Sequence, residues 1–216
     1  MLEEMGAFFD ARLEGYEAHQ LNCIESAREF YPFTASCLPR SADAAILDLG
    51  CGTGLELEYY FELVPTAKVT GIDLAPGMLA ALRGKFPGKS LTLIAGSYFD
   101  VPLGSCAFDG AVSVESLHHF TKEEKIPLYK KVRNALKPGG FFILTDYFAR
   151  SDEEERARRA ELLRLKQEQG IRDGAFYHYD TPLTVEHETE ALGAAGFASV
   201  TVLNSWGQTC TLRASG

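Results

Sequence analysis

The feature that most constrains this chain is a trio of glycines at positions 50, 52 and 54, set between an apolar run and a helical one. Residues 45–49 (AILDL) read as a short buried strand, and residues 55–63 have helical character. A chain passing from strand to helix through Gly50-Cys51-Gly52-Thr53-Gly54 must turn sharply. Glycine permits that turn and lets backbone approach a ligand with no Cβ in the way. The context on both sides, more than the glycines themselves, marks a ligand-binding loop.

The spelling of the loop selects among ligands. A dinucleotide fingerprint is G-x-G-x-x-G, with pyrophosphate at the N-terminus of the following helix. This loop reads G-x-G-x-G and has Leu55 where the dinucleotide pattern wants glycine. Asp48 precedes the first glycine by two residues. An acid there repels pyrophosphate and attracts an ammonium group, which favours a ligand with a cationic amino-acid head. Asp73 ends a second strand, residues 68–72. An acid at that end of a strand can accept hydrogen bonds from both hydroxyls of a ribose. It can equally cap the helix that follows.

The rest of the chain keeps the alternation. A helix is expected over 77–85, strands over 91–95 and 110–114, a helix over 122–136 and a strand over 141–145. Pro138, Gly139 and Gly140 stop the long helix. This order predicts an α/β fold with a doubly wound, mostly parallel sheet covered on both faces. The tail differs: a helix over 186–195, then strands over 199–203 and 209–213 around residues 204–207, read as a closing antiparallel hairpin. We expect a single domain over 1–216, with 1–36 as a helical N-terminal cap and 150–182 as a candidate substrate lid. Residues 151–170 are dense in charge of both signs and read as a solvated helix, with Leu162, Leu163 and Leu165 turned to the core or the lid.

Bulk properties exclude several classes. No apolar run is long enough to span a membrane, and the acidic N-terminus does not read as a secretory signal. A net charge of −9 disfavours a nucleic-acid partner. Five scattered cysteines, with no C-x-x-C pair, fit a reducing cytoplasm. No metal site is expected: adjacent His118 and His119 face different ways, and a third ligand is missing from the pattern.

Taken together, the motifs resemble the class I S-adenosylmethionine-dependent methyltransferases. Residues 47–54 (LDLGCGTG) are similar to that family's first motif, residues 71–78 (GIDLAPGM) to its second, and residues 136–140 (LKPGG) to the turn before its fifth strand. The resemblance implies S-adenosylmethionine as cofactor and a seven-stranded sheet in the order 3-2-1-4-5-7-6. Gly50, Cys51, Gly52, Thr53 and Gly54 would pack under the methionine part, supported by Asp48. Asp73 would hold the ribose, with Leu74 and Met78 near the adenine. Glu115 and Ser116 would line the methionine and the transfer site. Where the family often has Gly-Asp-Ala after the third strand, this chain has Gly96-Ser97-Tyr98, so Ser97 and Tyr98 take the adenine side. In the N-terminal segment Tyr16 is a candidate contact, or else one member of an apolar helix face with Phe8 and Phe9.

Methyl transfer from a sulfonium needs alignment and exclusion of water, and a general base only where the acceptor starts protonated. Candidate bases follow the fourth and fifth strands, and His119 and Tyr147 are the two selected. The aromatic stretch 176–182 is either a lid over the acceptor or a loop on the sheet edge. The expected acceptor is a small molecule, and the oligomeric state is not legible. A non-catalytic cofactor-binding partner protein is the alternative. An enzyme using a modified S-adenosylmethionine is another, but it needs a basic residue that the motifs lack.

Overall fold

The computed structural model describes residues 1–172 and 174–216, so residue 173 of the expected lid lies outside the described residues. Three helices lead in: α1 (Met5–Asp10), α2 (Tyr16–Cys23) and α3 (Ala27–Cys37). Strands and helices then alternate as β1 (Ala45–Leu49), α4 (Leu55–Leu63), β2 (Lys68–Asp73), α5 (Pro76–Lys85), β3 (Ser90–Ala95) and β4 (Phe108–Val114). Next come α6 (Lys122–Ala135), β5 (Leu136–Tyr147), α7 (Asp152–Glu168) and α8 (Val185–Ala194), and β6 (Ser199–Trp206) and β7 (Thr209–Ser215) close the chain. The seven strands form one sheet in the order β3-β2-β1-β4-β5-β7-β6. The first five pair in parallel, and β7 runs antiparallel between β5 and β6. The expected doubly wound, mostly parallel sheet ending in a hairpin is therefore observed.

Alternation along β1 shows why helices are needed on both faces. Ile46 packs in a core with residues of α3 and α4, whereas Leu47 and Leu49 belong to a second core with residues of α6 and α8. Thr121 begins α6 with a reciprocal capping box: its hydroxyl accepts from the Glu124 amide, and its amide donates to the Glu124 carboxylate at 2.8 Å. α6 and α8 are joined by a buried pair, Lys125 Nζ donating to Glu188 Oε2 at 2.5 Å, and the Tyr129 hydroxyl donates to the other carboxylate oxygen.

Several boundaries differ from expectation. α6 ends at Ala135, and β5 begins at once, running through the Pro-Gly-Gly turn that was expected to precede it. Pairing of Leu136 with Phe108 across an irregularity in β4 recruits those residues. β6 reaches Trp206 because a register shift between Val202 and Asn204 keeps it paired, so the hairpin turn is Gly207-Gln208 alone. Leu163 of α7 is exposed, which corrects the expectation that it turns to the core or the lid, while Leu162 and Leu165 are half-buried. Four acids in its first turn and the Ser151 cap are what organise this helix.

Candidate active site

The site forms at the carboxyl ends of the parallel strands, beside β1, where the strand order reverses. Gly50 leaves β1 with φ +72, and its amide donates to Ile72 O at 2.8 Å. A Cβ on Gly50 would fall 2.0 Å from Ser116 Oγ, so only glycine lets the β1 and β4 turns close on one another. The Gly52 amide donates to Asp73 Oδ2 at 2.9 Å, and the Ala75 amide to Asp73 Oδ1 at 2.8 Å. Asp73 thereby ties the glycine loop to the chain entering α5. Burial raises its pKa, against those two hydrogen bonds.

Beneath the loop lie two buried acids, Asp48 and Glu56. Among the described residues no other group donates to Asp48 Oδ2 or Glu56 Oε1, and the two carboxyls interact with each other. Burial first, then the neighbouring Glu56 carboxyl, pushes Asp48 well above the usual carboxylate range. A cationic ligand head close by would favour the ionised form of this pair.

Two cavities meet here. An inner one of about 50 Å³ is lined by Met5, Phe9, Tyr16, Gly50, Gly52, Asp73, Leu74, Met78, Tyr98, Val114, Glu115, Ser116 and His119. An outer one of about 810 Å³ shares Phe9, Tyr16, Glu115 and His119 with it and adds His118, Tyr147, His178, Asp180, Trp206 and Thr209 among others. Side chains of α1 and α2 roof both. The aromatic stretch 176–182 is fastened to this roof: the Met5 amide donates to Phe176 O at 2.8 Å, the His178 amide to Glu3 O at 2.9 Å, and the His178 ring stacks on Phe8 at 3.6 Å.

Glu115 sits at the junction. Its φ of +48 is a left-handed conformation uncommon for a side chain of its size, and such strain concentrates at functional sites. Burial, reinforced by Asp146, pushes its carboxyl up to about 8, and Thr209 Oγ1 donates to it at 3.4 Å. A single 3-10 turn, Leu117–His119, then places both histidines. His118 Nδ1 lies 2.6 Å from Asp146 Oδ1, and Asp146 Oδ2 accepts from the Leu117 amide at 2.9 Å. Burial alone would lower the His118 pKa, but Asp146 and Asp180 raise it well above the usual imidazole value. Burial and the neighbouring His118 charge lower His119 instead, leaving it neutral near pH 7. Its Nδ1 lies 3.2 Å from Tyr179 O, which can only accept, so Nδ1 carries the proton.

The structure brings most of the sequence candidates together and sets some apart. Tyr16, Gly50, Gly52, Asp73, Leu74, Met78, Tyr98, Glu115 and Ser116 line the inner cavity, His119 lines both, and Tyr147 lines the outer one. Cys51 and Thr53 are buried, and a Cβ on Gly54 would fall 3.2 Å from Leu57, Leu82 and Phe86. The Ser97 hydroxyl accepts from the Phe99 amide at 3.2 Å, and Ser97 is not among the cavity residues. The two histidines were expected to diverge. Instead their rings lie 4.0 Å apart and both reach Asp180. Met5, Phe9 and Asp180 were missed as site residues, and Asp146, considered beside Tyr147 as a candidate base at the end of the fifth strand, was not selected.

Comparison with known proteins follows the same lines. Residues 46–140 match a family model described as a methyltransferase domain. A demethylmenaquinone methyltransferase of Symbiobacterium thermophilum is 33% identical over 144 residues, 62% of this chain and 55% of that protein. A biotin biosynthesis bifunctional protein of Teredinibacter turnerae is 32% identical over 135 residues, 58% of this chain and 23% of that protein. A solved structure described as a DhpI-SAM-HEP complex superimposes with a TM-score of 0.71 at 19% identity, covering 97% of this chain and 95% of that one. Over residues 46–140 the chain is similar to methyltransferase domains, and its fold is that of S-adenosylmethionine-dependent methyltransferases. It spans less than two thirds of the length of these curated relatives.

S-adenosylmethionine is the cofactor of such methyltransferases, and the residues here suit it. Asp73, Gly52 and Tyr16 line the inner cavity, while the buried Asp48, expected to support the cofactor, is not among its lining residues. The inner cavity is smaller than the ~300 Å³ typical of ligand pockets. Met5, Phe9 and Tyr16 line it from the side of α1 and α2.

Proposed function

We propose that this protein transfers a methyl group from S-adenosylmethionine to a small-molecule acceptor held in the outer cavity. The observation that carries this reading is the pair of cavities sharing one wall: Glu115 and His119 border both the cofactor side and a space of about 810 Å³, the size of a small-molecule pocket. The cofactor supplies an activated methyl group on a sulfonium. The chain's own work is to hold the acceptor in line with it and keep water out, which lowers the barrier by roughly 7–11 kcal/mol in favourable cases. Phe8, Phe9, Tyr16 and Trp206 supply apolar walls.

An acceptor that arrives protonated gives its proton to His119, which is neutral and lies on the shared wall. Tyr147, across the outer cavity, orients the acceptor through its hydroxyl. A small acceptor, in preference to nucleic acid or a membrane surface, accords with the net charge of −9. Among the described residues no helix is long and apolar enough to cross a membrane. A cytoplasmic location is part of the same proposal, and five free cysteines suit that compartment.

Calorimetric titration with S-adenosylmethionine and S-adenosylhomocysteine, beside an Asp73→Ala variant, tests the cofactor half. Loss of two charge-assisted acceptor positions should weaken binding by about 10–100-fold. A folded protein that binds neither ligand would overturn the proposal.

A further inference from the structure

We infer that the outer cavity contains a binding site for one divalent transition-metal ion of the zinc class, ligated by His118 Nε2, His119 Nδ1 and an Asp180 carboxylate oxygen, with the fourth position open to the cavity. The three ligand atoms lie within 4.8 Å of one another. Asp180 Oδ1 stands 3.5 Å from His118 Nε2 and 3.3 Å from His119 Nδ1. Both separations exceed the ~2.7–2.9 Å of a charge-assisted hydrogen bond. Both match the ~3.4 Å edge of a tetrahedron whose ligands sit about 2.0–2.1 Å from a central ion.

A second observation points the same way. The far nitrogen of His118, Nδ1, is held by Asp146 Oδ1 at 2.6 Å. That is the carboxylate–imidazole arrangement that orients a metal ligand and raises its basicity. The other ligands are fixed too. The 3-10 turn presents the two rings together, and the Thr181 amide donates to His118 O at 2.8 Å, tethering the loop that carries Asp180. The Asp180 side chain is 42% exposed, which gives an ion its path and leaves room for a water or an acceptor oxygen on the open side.

The site stands on its ligands and does not depend on the methyl-transfer proposal. Metal and proton exclude each other at His119 Nδ1. With the ion in place His119 is a ligand, and an oxygen taking the open position is acidified by the ion.

The test is metal binding by the full chain after chelator treatment, read by calorimetry with zinc and by the visible bands of tetrahedral cobalt. One ion per chain is expected. Asp180→Asn, at a side chain 42% exposed, should weaken zinc by more than about 10-fold and remove the cobalt bands. His119→Gln should do the same, with circular dichroism confirming the fold of both variants. Absence of zinc binding by the folded wild-type chain overturns the inference. So does unchanged affinity in Asp180→Asn, which would put the ion elsewhere, such as on the exposed thiols of Cys23 and Cys106.

Discussion

At the scale of single residues, the site depends on backbone conformations and buried charges that have little freedom to vary. Gly50 combines φ +72 with a contact no Cβ could share. Gly50→Ala should cost about 1–2 kcal/mol for the left-handed backbone alone, and more because Ser116 must give way. A chemical denaturation curve will show it, together with lost affinity for S-adenosylhomocysteine. The His118–Asp146 pair makes a prediction about pH. His118 is raised above 6.5 in the fold, so its contribution is complete below 6.5 and is lost as pH rises through the raised value. Asp146 is lowered below 3.8, because His118 outweighs the effect of burial, so its contribution is complete above 3.8 and is lost as pH falls through the lowered value. Breaking the pair with Asp146→Asn should therefore destabilise most between those two values, by about 3–5 kcal/mol. A stability difference that stays flat from about pH 4 to 9 would remove this account of the pair.

At the scale of elements, α6 and α8 are registered by a polar contact inside an apolar interface. Lys125 and Glu188 are each 1% exposed. Glu188→Ala leaves the Lys125 charge buried without a partner, and should cost about 3–5 kcal/mol in urea unfolding. The double variant Lys125→Met/Glu188→Leu removes both charges at similar volume and should recover much of that loss. If the double variant is as unstable as the single one, packing rather than the buried charge sets the cost. Neither residue could be recognised from its neighbours in sequence, since a Lys and a Glu in helices normally read as solvent-facing. The strands behaved differently. The elements 45–49 and 110–114 were legible because parallel strands buried on both faces carry continuous apolar runs. β6 was misjudged at its end because its residues are largely exposed, so its extent is set by pairing with β7 and not by side-chain pattern.

At the scale of the molecule, the N-terminal helices and the 176–182 segment are fastened together beside the two cavities. A ligand in the inner cavity would touch Met5, Phe9 and Tyr16 of those helices. Amide exchange across residues 5–23 should be faster than in β1 and β4, and should slow when S-adenosylhomocysteine binds. Ligand at 100 times its dissociation constant should also raise the unfolding free energy by about 2.7 kcal/mol. Exchange in α1 and α2 that ignores the ligand would mean that the roof takes no part in binding.

The division between sequence and structure follows from the range of the interactions. The sequence by itself determined the α/β alternation, the glycine loop, Asp73 at the end of β2 and the resemblance to methyltransferases, because each is written in contiguous residues whose spacing is their geometry. Only the tertiary structure decided which of those residues face a ligand. It buried Cys51 and Thr53, turned Ser97 onto its own backbone, and put Met5 and Phe9 over Gly50. It also drew Asp146 and Asp180 to the two histidines, from a strand and a loop far along the chain. Such contacts depend on where strand ends converge after the sheet has formed, and no local pattern of residue types encodes that convergence.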